Sequence, residues 1–145
     1  MLAPFIALAL VLAPQQERAN TPGAAVGSFL DAFRTLDERK FDEHFASDVT
    51  MFFPDGPFPE GRVEGRDAVL AAFHSFFKLA KERGRTSLQV IPLEQRVQQH
   101  GDVAIVTFRL DQDGAVGRRS FVMRKIGDEW LIAHFHASTI DPSAR

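Results

Sequence analysis

The 145-residue chain has no cysteine, no tyrosine, a single tryptophan and no large excess of charge of either sign. Without cysteine there can be no disulfide, thiolate metal ligand, cysteine nucleophile or lipid on an N-terminal cysteine. Without tyrosine there is no phenolic acid, base or oxyanion donor. Lys+Arg 17 against Asp+Glu 19 gives a net charge of −2. That lacks the basic excess a phosphate backbone demands, so no nucleic acid partner is expected. Gly-rich phosphate loops, a nucleophile elbow and a dinucleotide fingerprint are also missing. No cofactor is expected, and no metal. Any chemistry falls to His, Asp, Glu, Arg, Lys or hydroxyl groups.

Phenylalanine is abundant, with 14 copies. The length suits one soluble domain with one core. Leu2 to Ala13 is almost wholly apolar and Pro14 to Arg18 breaks it abruptly. This fits a secretory h-region and falls short of the ~20 residues of a bilayer-crossing helix. The expectation is a signal peptide and spacer over 1–19, a domain over 20–142, export to the periplasm or beyond, and no stable membrane span. The alternatives are an apolar helix packed on the domain, or a start codon placed too early, with the protein then cytoplasmic.

Val26, Phe29, Leu30, Phe33 and Leu36 recur at helical spacing after a spacer reaching Gly23. Asp37 or a neighbour caps a second, short helix holding Phe41 and Phe45 and ending near Ala46. A strand follows over Val49 to Phe53, then a Pro/Gly-rich loop from Pro54 to Gly65. Asp67 opens a third helix to about Arg83, with Val69, Ala72, Phe73, Phe76 and Ala80 on its buried stripe and His74 and Phe77 at the margin. Beyond it lie four strands, Ser87 to Gln98, Val103 to Asp111, Val116 to Ile126 and Trp130 to Ile140, joined by tight Gly turns. The fold class is α+β, three helices on one face of a mostly antiparallel sheet.

This order, together with Asp48-Val49-Thr50-Met51-Phe52, Val63-Glu64-Gly65-Arg66-Asp67 and Trp130-Leu131-Ile132-Ala133-His134-Phe135-His136-Ala137-Ser138, resembles the SnoaL-like branch of the nuclear transport factor 2-like superfamily. That branch includes the association (hub) domain of calmodulin-dependent kinase II and SgcJ/EcaC-type bacterial proteins. The resemblance implies a dimeric cone around an internal cavity. It leaves open whether the chain is an isomerase, cyclase or dehydratase, or a non-catalytic oligomerisation module. Where the hub domain has pocket arginines that hold carboxylates, this sequence has Phe121 and Ala137, which argues against carboxylate binding. The cavity lining implied is Phe53, Phe73, Phe77, Phe108, Phe121, Met123 and Phe135, suited to a hydrophobic or aromatic small molecule.

His134 and His136 share one face of the last strand by parity, with Trp130, Ile132 and Ser138. An imidazole pair supplies a base and an acid near neutral pH, and Asp55 in the Pro/Gly loop is a further candidate base. If Phe135 and Ala137 face the cavity, however, the histidines face the opposite side, where they would be interfacial. His74 is either a helix-edge residue or a pocket donor. Arg109 is either a rim charge or an anion anchor.

Overall fold

A computed structural model describes residues 20–143. The expectation for Leu2 to Ala13 lies outside them. Thr21 caps the first helix, accepting from the Ala24 amide, and Pro22 opens it where a missing N–H is harmless, so α1 runs Pro22–Arg34. Asp37 caps α2, Glu38–Asp42, by accepting from the Lys40 amide at 3.1 Å. This second helix is shorter than expected. The four-residue spacing of Phe41 and Phe45 mimics a helical turn, but Phe45 already begins β1, Phe45–Phe52.

The Pro/Gly segment also holds a short strand. Val63–Glu64, β2, pairs antiparallel with Met51 and Thr50. Gly65 then takes φ 86, a left-handed backbone that only glycine adopts freely, and precedes α3, Arg66–Glu82. The meander follows as β3 Val90–His100, β4 Val103–Gln112, β5 Ala115–Ile126 and β6 Glu129–Thr139. The six strands form one sheet in the order β2-β1-β6-β5-β4-β3, antiparallel except where β1 runs parallel to β6. Three helices on a mostly antiparallel sheet is the α+β arrangement expected.

Along β4, Ala104, Val106, Phe108 and Leu110 are buried, while Val103, Ile105, Thr107 and Arg109 are partly or well exposed. That alternation fixes an inner face covered by the helices and an outer face left open. Phenylalanines bind the layers together. Phe29 of α1 meets Phe121 and Phe135 of the sheet edge-on at 5.2 and 5.9 Å, and Phe41 packs against Phe73 of α3 at 4.7 Å. Such aromatic pairs add about 0.5–1.5 kcal/mol beyond burial. Phe77 is wholly buried and Phe76 only partly, so the stripe of α3 is rotated from the one expected.

Candidate functional site

The inner face encloses a cavity. Its walls are Phe29, Leu30 and Phe33 of α1, Met51 of β1, Phe53 and Pro54 after it, and Phe58 of the following loop. Phe73 and Phe76 of α3, Phe108, Leu110 and Gln112 of β4, Arg119 and Phe121 of β5, and Phe135 and Ala137 of β6 complete it. Phe53, Phe73, Phe108, Phe121 and Phe135, named from the sequence, are among these walls. Phe77 and Met123 are not among them. Both are fully buried but sealed in the core behind the lining, Phe77 against Phe33 and Phe41, Met123 opposite Ile132.

The space between the walls is about 440 Å³ with its open mouth included, yet only about 40 Å³ of it admits the centre of a water-sized molecule. That holds one or two waters, not an aromatic ring. Entry of anything larger requires side chains to move, and Phe58 is the one placed to do so. It comes from an irregular loop, stacks on Phe53 at 4.6 Å and touches Phe76 at 5.3 Å, with no strand or helix of its own to fix it.

Arg119 was not among the residues singled out by sequence, although Phe121 pointing inward places Arg119 and Gly117 on the same face by the period of two. It is 8% exposed, the sole charged residue of the lining, and among the described residues no carboxylate pairs with it. Its Nη1 donates to the carbonyls of Arg118 at 3.0 Å and Ser138 at 3.3 Å. Burial pulls its pKa down to about 10, which leaves it a cation at neutral pH.

The histidines lie elsewhere. Val122 pairs with His134 but Met123 pairs with Ile132, so Ala133 is an extra residue that bulges β6 and reverses its alternation. Trp130 and Ile132 therefore face inward and are buried, whereas His134 and His136 face outward. Of the face expected to hold Trp130, Ile132, His134, His136 and Ser138 together, the first two are thus separated from the histidines. His134 Nδ1 is 2.8 Å from Thr50 Oγ1, and Phe52 packs beside both imidazoles at 6.2 and 5.9 Å. The His134 pKa is lowered by partial desolvation, then by His136 and Arg62.

Asp55 is exposed next to Pro54 and is not part of the cavity wall. His74 donates from Nε2 to Asp42 Oδ1 at 2.7 Å, tying α3 to α2, and does not reach the cavity. Arg109 is a rim charge paired with Glu94 at 2.9 Å, and Asp48 is held by Arg124 at 2.7 Å, which lowers its pKa. Among the described residues no three His, Asp or Glu come together as a metal-ligand set, and no helix is long and apolar enough to cross a membrane.

A family model described as a SnoaL-like domain matches residues 23–142. No curated protein matches the chain significantly. Among solved structures, a Thiobacillus denitrificans protein provisionally assigned as a calcium/calmodulin-dependent protein kinase type II association domain is 26% identical, with a TM-score of 0.68 over 83% of this chain and 96% of that one. A Streptomyces avermitilis protein provisionally assigned as a dehydratase of the NTF2-like family is 20% identical, with a TM-score of 0.68 over 82% of this chain and 93% of the other. One from Parabacteroides distasonis provisionally assigned as a ketosteroid isomerase is 20% identical, with a TM-score of 0.65 over 89% and 95%.

Proposed function

The chain belongs to the SnoaL-like domain family, and from that premise we propose that it binds a hydrophobic or aromatic small molecule in the cavity between its helices and sheet. One observation carries this reading: the inner face is not filled solid but keeps a phenylalanine-walled space, with Phe58 of an irregular loop among its walls. Apolar walls with a few placed polar groups are the usual make-up of a small-molecule site. The relatives include proteins assigned as a dehydratase and a ketosteroid isomerase, which makes proton-transfer chemistry the natural alternative. Binding is favoured because no carboxylate or imidazole stands in the described wall, and His134, His136 and Asp55 would need a substrate outside it. The test is thermal stabilisation of the wild-type chain by a panel of phenylalkyl compounds, compared with Ala137→Leu. The larger side chain fills the space, so stabilisation by the panel must disappear in the variant. Equal stabilisation of both proteins would place binding elsewhere and sink the reading.

A second copy of the chain is the proposed occupant of the outer sheet face. Ile105, Val103 and Phe52 are 39%, 43% and 37% exposed there, beside His134 and His136, while the neighbouring charges Arg124 and Arg109 are already paired with Asp48 and Glu94. An exposed apolar strip beside two paired arginines suits a self-complementary interface. The relative assigned as an association domain points the same way. Ile105→Lys should convert a dimer to a monomer in sedimentation, and a wild-type monomer would remove the proposal.

A further inference from the structure

We propose that Arg119 is an anion anchor inside the cavity, and that the molecule bound there carries a single carboxylate on an apolar or aromatic body. This inference rests on the cavity being a binding site and names what would occupy it; it reverses the expectation against carboxylate binding drawn from Phe121 and Ala137, because the cavity's arginine stands two residues before Phe121 on β5.

Three features of β5 and its neighbours build the anchor. Gly117 and Arg119 both face inward, and a Cβ on Gly117 would fall 2.5 Å from Arg119 Nη1 and 2.5 Å from the Ser138 carbonyl oxygen. The missing side chain is thus the trough in which the guanidinium lies. Across the strands, Arg119 pairs with Phe108 on one side and with the short Ala137 on the other. The two Nη1 hydrogens go to the Arg118 and Ser138 carbonyls. Among the described residues Nε and Nη2 have no acceptor, and since no fully enclosed polar side-chain atom there lacks a partner, these donors remain open.

What is left free is one whole edge of the guanidinium. That Nε/Nη2 edge presents two parallel N–H donors, the geometry that takes both oxygens of a carboxylate. The protein holds its fork in place from behind and supplies no anion in front. The lining contributes one positive charge and, besides it, only the neutral Gln112 as a polar residue. A monoanion therefore leaves the site neutral, whereas a phosphate dianion would bury an uncompensated charge. The remaining walls are phenylalanine, leucine, methionine, proline and alanine, which select an apolar body.

The experiment uses the full chain and a matched pair of probes, 3-phenylpropanoate and its neutral isostere 3-phenylpropanamide, titrated calorimetrically at neutral pH. Wild type should favour the acid by about 10- to 100-fold, the range of charge-assisted hydrogen bonds. Arg119→Met should bind the two alike, with amide affinity kept within about threefold, and Arg119→Lys, which keeps the charge without the fork, should fall between. In 1H–15N spectra the wild-type Arg119 Nε–H should move with the acid and not with the amide, a readout that stands even if Arg119→Met fails to fold. Equal binding of acid and amide by wild type overturns the anchor while leaving the cavity reading intact, as does a preference that survives in Arg119→Met. Failure of wild type to bind either probe removes the cavity reading and the anchor with it.

Discussion

Replacing Arg119 by methionine should make the ligand-free protein more stable. Burial lowers the arginine pKa well below its ordinary value, to about 10. At 1.36 kcal/mol per pKa unit, the cation is disfavoured by about 3 kcal/mol. Its two hydrogen bonds to the Arg118 and Ser138 carbonyls return on the order of 1 kcal/mol each. A net penalty of about 1 kcal/mol remains, and methionine fills the same trough without a charge. The expected gain for Arg119→Met is about 1–2 kcal/mol, or a rise in Tm of roughly 3–6 °C for a domain of this size. Urea unfolding followed by circular dichroism reads it directly. Because the folded-state pKa lies below the unfolded one, both states carry the proton below about pH 10, so the difference between the two proteins should be flat across neutral pH and shrink only above that value. A loss of more than about 1 kcal/mol in Arg119→Met would refute the reasoning, since it would mean that the guanidinium supports the fold and is not held there at the fold's expense.

Gly117→Ala should destabilise by more than about 2 kcal/mol, because the new Cβ lands 2.5 Å from a backbone carbonyl that cannot step aside; a near-neutral variant in the same urea assay would contradict the trough. Phe58→Ala, which removes the ring stacked on Phe53, should speed association of 3-phenylpropanoate in stopped-flow mixing while lowering stability only modestly, and an unchanged on-rate would mean that entry is elsewhere. Acidification from pH 7 toward pH 5 should weaken the fold. Burial lowers the His44 pKa, and desolvation lowers that of His134, so below the ordinary 6.5 the unfolded chain binds protons the folded one resists. His44→Gln should flatten that slope, and an unaltered pH profile would show that other groups set it.

Most of the architecture was legible in the chain because its strands alternate cleanly and its turns are marked by Gly101, Gly114 and Gly127, all at positive φ. What the pattern hid were departures from regular backbone. Ala133 is small and apolar, compatible with either face, so nothing in its side chain announces the bulge that turns His134 and His136 away from Trp130 and Ile132. Phe45 falls one helical turn after Phe41 and equally begins a strand, and tertiary pairing with Ile132 decides for the strand. Arg119 differs, because a signal was present. Counting back by twos from the inward Phe121 reaches Arg119 and then Gly117, but arginine is so seldom buried without a partner that composition argues against following the count. Phe77 and Met123 were placed at the lining because hydrophobicity marks a residue as interior without separating a cavity wall from the layer behind it.

The central claim, that the phenylalanine-walled interior is the binding site, is tested most directly by methyl 1H–13C spectra of the chain titrated with 3-phenylpropanoate. Methyl signals of Leu30, Met51, Leu110 and Ala137, which line the cavity, should shift together while those of the outward Val103 and Ile105 stay in place. Shifts confined to the outer face, or none at all with this ligand, would contradict it.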